Sequence, residues 1–148
     1  MKQTTYKRPE SVLVLVYTRA GQVLLMHRCQ PEGFWQSVTG SLHWDEEPQQ
    51  AAIRELKEET GLDLMPVDCR MENQFPILPE WRSRYHPDVM ENREYLFAVE
   101  LDKPCKIRLN PNEHTKYEWL DCNPAMQQCS SWTNSQAIEI LVMNRRAD

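Results

Sequence analysis

Apolar residues recur along this chain in two patterns, continuous runs and strict alternation. Val12 to Tyr17 is an unbroken β-branched, leucine and aromatic run, which predicts a strand covered on both faces. Thr18 to Gly21 reads as a turn and Gln22 to Arg28 as a second strand. Pro31-Glu32-Gly33 interrupts the chain before a short third strand, Phe34 to Thr39. Farther on, Tyr95, Phe97, Val99 and Leu101 alternate along Arg93 to Leu101 and share one face of a strand, and Tyr117 to Leu120 is another.

Helical signals lie between these strands. Pro48 to Thr60 reads as a helix, with proline in the first turn, Ala52, Ile53 and Leu56 on the packing side and Gly61 just beyond the end. Asn123-Pro124 is read as the cap of a short helix. Thr133 or Asn134 would cap a last helix running to about Met143, with Ala137, Ile138, Ile140 and Leu141 as its buried stripe. Asp63 to Asp88, with four prolines, reads as loop-rich. Strands and helices mixed in this order predict an α/β sandwich around a mixed sheet, organised as one domain over residues 1–148.

Composition narrows the class. A formal net charge of −5 disfavours a nonspecific nucleic-acid coat, which works by neutralising phosphates. It leaves room for a small anionic substrate, because a carboxylate-held metal inverts the local charge. Met1 to Glu10 is polar and Val12 to Tyr17 is far too short to span a bilayer, so neither a signal region nor a membrane partner is expected. Five scattered cysteines without C-x-x-C spacing fit reduced thiols in a cytoplasm. The four histidines form no ligand set in sequence, and no P-loop is present.

The chemistry concentrates on the first helix. Glu55, Glu58 and Glu59 stand at i, i+3 and i+4, within a few ångströms of one another. A solvated acidic face explains such a cluster in isolation, whereas a divalent cation would relieve its repulsion while leaving sites for water and phosphate oxygens. The residues in front of the cluster decide between the two. Gly40, five residues, Glu46, seven residues, then Arg54-Glu55-Leu56, Glu58-Glu59 and Gly61-Leu62 resemble the Nudix box at nine spaced positions.

That resemblance implies an α/β/α sandwich with a loop–helix–loop catalytic motif and Mg²⁺ as cofactor, Mn²⁺ being a substitute. Glu55, Glu58 and Glu59 would ligate the metal, the Gly40 carbonyl would complete its shell, and Gly40 would turn the backbone sharply. Glu46 would be a second-shell or additional metal group, and Arg54 an orienter of the carboxylates. Glu55 would be a candidate general base for attack of water on phosphorus, and Glu113, outside the box, would be an extra metal ligand or base or else a plain exposed loop glutamate. Asp45 stands where many family members have glycine, a position at which aspartate tolerates a left-handed backbone.

Flanking residues point to a branch of the family. Tyr6-Lys7-Arg8-Pro9, Phe34-Trp35-Gln36-Ser37-Val38-Thr39, Arg82-Ser83-Arg84-Tyr85, Glu113-His114 and Trp132-Thr133-Asn134 resemble the branch that hydrolyses dihydroneopterin triphosphate to the monophosphate and pyrophosphate. A (deoxy)nucleoside triphosphate such as dATP is the alternative substrate. Arg28 fits either a phosphate contact or a surface ion pair, and Lys7 is a second phosphate candidate. Trp35 fits core packing better than ring stacking. Asn134 fits a helix cap or a contact to a ring edge.

Overall fold

The computed structural model describes residues 6–144. Its spine is β1 (Glu10–Thr18), the apolar run, from Ser11 to Thr18 buried at every position. Both faces of this strand pack against a core, which is why no polar alternation marks it. β6 (Glu91–Leu101) lies parallel to β1 along its whole length, with Glu10 opposite Arg93 and Thr18 opposite Leu101. The remaining pairings are antiparallel. β5 (Val67–Pro76) flanks β6, β4 (Val38–Ser41) pairs the first half of β1, and β2 (Val23–Arg28) meets β1 only at Tyr17 opposite Val23. β3 (Trp35–Gln36) and β7 (His114–Leu120) pair β2. The sheet is mixed, as the element order predicts, and it splays where β1 exchanges β2 for β4.

Alternate faces of β1 feed two cores. Val12, Val14 and Val16 pack with Leu24, Met26, Phe97 and Val99 against Ala51, Ala52 and Leu56 of α1 (Pro48–Thr60). Leu13, Leu15 and Tyr17 pack with Val23, Leu25 and Leu96 under α2 (Cys122–Gln128) and α3 (Trp132–Ile138). The helix α1 keeps its predicted bounds. Gln50 accepts a hydrogen bond from the Glu47 N–H at its start, and Gly61, at φ 79°, closes its end by donating to the Lys57 carbonyl.

Four expectations are corrected. The stretch read as loop-rich contains β5 and a 3₁₀ turn, Pro79–Arg84. β5 is an edge strand with one face exposed and the other, Cys69, Met71, Asn73 and Phe75, only half covered, so its apolar alternation is short and broken by Asn73, and a bulge at Arg70, φ 56°, shifts its register. The third strand is broken into β3 and β4, and β4 takes in Gly40 and Ser41. Asp121 and Ser131, rather than Asn123 and Thr133 or Asn134, stand at the caps of α2 and α3. A π turn over Glu139–Met143 rotates the last helix, so Val142 is buried in place of Ile140.

Leu56 is fully buried and is the largest apolar anchor of α1. Leu56→Ala is expected to cost about 2–5 kcal/mol of stability. The readout is a lower urea midpoint at an unchanged m-value.

Candidate functional site

The guanidinium of Arg54 organises the acidic residues. Its Nε and Nη2 donate to the two oxygens of Glu46, at 2.8 Å each, in a bidentate pair. Nη1 donates to Glu55 at 2.5 Å and to Glu58 at 3.4 Å, and Nη2 also reaches the Ser41 carbonyl at 3.1 Å. The hydrogen bonds from Arg54 hold the Glu46 carboxyl down at about 2, far below the usual range, against the cost of burial. Both Glu46 oxygens are thus committed, and Oε1 accepts the His43 N–H as well. Glu46 thereby fixes Arg54, which in turn holds Glu55 and Glu58. Arg8 holds the same loop by donating to the carbonyls of His43, Trp44 and Glu46.

The sharp turn expected at Gly40 is absent: the residue lies in β4 opposite Val12, outside the positive-φ region. A Cβ placed there would sit 2.2 Å from Glu55 Cδ. The glycine leaves the space into which the Glu55 carboxylate folds against the strand, where Glu55 is 7% exposed.

Glu59, one turn on from Glu55, is 1% exposed, and neither of its carboxylate oxygens has a hydrogen-bond partner. Burial, then the adjacent Glu55 and the charge of Glu113, push its carboxyl well above the usual range. An orphaned buried carboxylate is costly and implies a positive partner. Glu59, Glu113 and His114 each present a ligand atom within 4.8 Å of the others, an arrangement that suits a divalent cation. Glu58 is the exposed member of the helical triad.

His114 escaped the sequence reading, which treated the histidines as isolated. It is 2% exposed, with Nε2 3.9 Å from Glu59 and 3.4 Å from the Gln36 amide. Burial, with the charges of Arg28 and His27, lowers its pKa to about 4, so at neutral pH it is an uncharged imidazole. The Glu113-His114 pair at the mouth of a strand was the available signal. The Asn110 carbonyl accepts both of their N–H groups and folds the turn that presents them to α1.

Cations line the opposite rim. The Lys7 N–H donates to the Arg84 carbonyl at 2.8 Å, which ties the N-terminal segment to the 3₁₀ turn. Crowding by protein atoms, then the charges of Arg84 and Arg28, lower the Lys7 pKa, partly offset by Glu55 and Glu113. Arg28 donates to the Gln30 carbonyl at 2.7 Å and lies over the Trp81 ring, which in turn meets Phe34 edge-on. These three like charges stand close enough to the carboxylate cluster for each set to feel the other. Arg84 was not singled out from the sequence. Glu113 lies within the field of both sets, raised by burial and by Glu55 and Glu58 and lowered by Arg28 and Lys7.

Two substrate candidates lie elsewhere. Trp35 packs with the core under α2 and α3, on the face opposite α1, against His27 and Lys116. Asn134 is 1% exposed, accepts the Ser37 N–H at 2.7 Å and donates to Ser37 Oγ at 2.9 Å. It is a clamp between α3 and the β3–β4 break.

The NUDIX domain model matches residues 7–139. The chain belongs to the Nudix family. Over 150 aligned residues this Nudix chain is 41% identical to the dihydroneopterin triphosphate diphosphatase of Escherichia coli K12, covering 97% of this chain and 99% of that one. It is 36% identical to the Haemophilus influenzae protein of the same name, over 95% and 92% of the two chains. The structure of the E. coli dihydroneopterin triphosphate pyrophosphohydrolase superposes with a TM-score of 0.88 over 95% of this chain and 99% of that one. The Nudix sandwich and its mixed sheet are therefore established by both sequence and fold.

Gly40→Ala is expected to displace the Glu55 carboxylate and abolish most turnover while far-ultraviolet circular dichroism stays native. A second expectation concerns acid. Glu46 has its pKa lowered from 4.5 to about 2, so its pairing stabilises the fold above about pH 4.5 and that contribution is lost as pH falls toward 2. Thermal melts of the wild type and Glu46→Gln should converge across that window.

Proposed function

We propose that this Nudix chain hydrolyses dihydroneopterin triphosphate to dihydroneopterin monophosphate and pyrophosphate, using Mg²⁺, with Mn²⁺ as a substitute. The observation that carries the reading is full-length likeness to relatives of that activity combined with retention of every box carboxylate. Glu55, Glu58, Glu59 and Glu113 would hold the metal, with the Gly40 carbonyl and the neutral His114 beside them. The orphaned oxygens of Glu59 support that assignment. A bound divalent ion supplies charge neutralisation at phosphorus and lowers the pKa of water.

The protein's own groups do the rest. Lys7, Arg28 and Arg84 would orient the triphosphate. Arg54 would keep Glu55 and Glu58 in place without touching substrate. Glu113 would take the proton of the attacking water, because it is exposed and not engaged by Arg54, whereas Glu55 already accepts from it. No covalent nucleophile is needed.

Among the described residues no helix is long and apolar enough to cross a membrane. Assignment to the cytoplasm is part of this proposal and rests on the cysteine pattern.

The test is pyrophosphate release with Mg²⁺ from dihydroneopterin triphosphate, dATP, dGTP and a dinucleoside polyphosphate. The pterin is expected to lead in kcat/KM, chelation to abolish turnover, and Glu58→Gln to lose most of it with the fold intact. Equal or faster turnover of dATP would overturn the pterin assignment in favour of a nucleotide-pool hydrolase.

A further inference from the structure

The start of β7 aims one imidazole at the acidic helix. Tyr117 and Trp119 lie opposite Met26 and Leu24 and pack on the α1 side of the sheet. Strict alternation would put Thr115 next on that side and His114 on the other. The ladder instead slips between His27 and Arg28, with Lys116 opposite His27 and His114 opposite Arg28. Thr115 is the extra residue of this bulge, and its hydroxyl bonds His27 Nδ1 at 3.0 Å. The slip turns His114 back to the side that carries Glu59, as bulges do where they re-aim a side chain.

A histidine kept for packing alone puts at least one ring nitrogen into a good hydrogen bond. His114 does not, although it is buried. Its Nδ1 has no partner, and Nε2 meets only the Gln36 amide, at 3.4 Å. Beside it lies the buried Glu59, with neither oxygen in a hydrogen bond, although Glu55 and the backbone of Thr39 are close by. The gap from His114 Nε2 to Glu59 Oε1 is 3.9 Å, too long for a hydrogen bond. Two ligands about 2.1 Å from a common ion stand up to roughly 4.2 Å apart, so the gap fits an ion between them. Glu113 brings a third ligand atom within 4.8 Å of the other two, and its exposure gives an ion a way in.

We propose that His114 supplies a nitrogen ligand to an ion held by Glu59 and Glu113, which makes this position prefer first-row transition ions to Mg²⁺. The inference rests on the reading of the acidic site as a metal site and is independent of the pterin assignment. Glu55 and Glu58 are bonded to Arg54 and offer oxygen alone, the donor that suits Mg²⁺. An imidazole is a softer donor, and affinity for mixed nitrogen and oxygen sites rises from Mn²⁺ to Co²⁺ and beyond. One oxygen of Glu113 completes the set, and the second stays available to the attacking water. The acidic site thus has two unlike ends, one of oxygen only and one carrying nitrogen.

The experiment loads tag-free protein with Mn²⁺ in the absence of substrate and reads it by pulsed electron paramagnetic resonance, with and without nitrogen-15 histidine. The wild type is expected to show the coupling of a directly bound imidazole nitrogen, changed by the label, and His114→Gln to lose it. His27→Gln and His43→Gln, which remove the other histidines near the acidic residues, should keep the coupling, so the assignment stands even where His114→Gln misfolds. By calorimetry, His114→Gln should weaken Co²⁺ binding about 10- to 100-fold and Mg²⁺ binding by no more than about threefold. Mn²⁺ bound without nitrogen coupling in the wild type, or coupling that survives His114→Gln, would overturn the inference and leave an all-oxygen metal site standing. No binding of any divalent ion would sink the metal reading itself. Failure to hydrolyse the pterin would bear on the substrate alone.

Discussion

One guanidinium holds together a group of carboxylates that would otherwise repel one another. Arg54 engages Glu46 with both ends of its fork, and its remaining donor position reaches Glu55 and Glu58. A lysine in its place would supply the charge without the planar fork, and the loop from His43 to Glu46 would lose the register that the paired bonds impose. Because Arg54 also bonds the Ser41 carbonyl, the helix, the loop and strand β4 are fixed by a single side chain. Glu59 alone among these acids lies outside its reach, and Glu59 is the one left without a partner.

The strand β1 divides the molecule's work between two faces. Its odd and even residues feed separate cores, one under α1 and one under α2 and α3. Acidic and basic groups collect on the α1 side at the end where β2 and β1 splay, while Asn92, Glu94 and Asn134 collect on the other side of the same end. Neither face could bury these polar groups at its middle, where Val14, Leu15 and Phe97 fill the space.

Much of this was legible in the residues, for physical reasons that differ from part to part. The helix α1 was readable to its ends because proline, periodicity and glycine all agree there. The nine-position box identified the carboxylates because its spacing is long and specific. β5 was not readable, since its one half-covered face carries a polar Asn73 among Cys69, Met71 and Phe75, and the prolines around it read as loop. His114 was missed because its partners, Glu59 and Gln36, come from elements distant in sequence. Gly40 was misread because a glycine required for the close approach of a side chain looks, in sequence, like one required for a turn. Asn134 suffered similarly: its value lies in Ser37, almost a hundred positions away.

The parallel pairing of β1 with β6 has a consequence for biosynthesis. Glu10 must wait for Arg93 and Thr18 for Leu101, so a nascent chain that has emerged only through α1 carries its most apolar strand with one edge bare. β4 and β2 are close in sequence and can close the other edge early. The half-built sheet therefore has the acidic helix in place well before its main strand is protected. During that interval the bare edge of β1 is open to pairing with another chain.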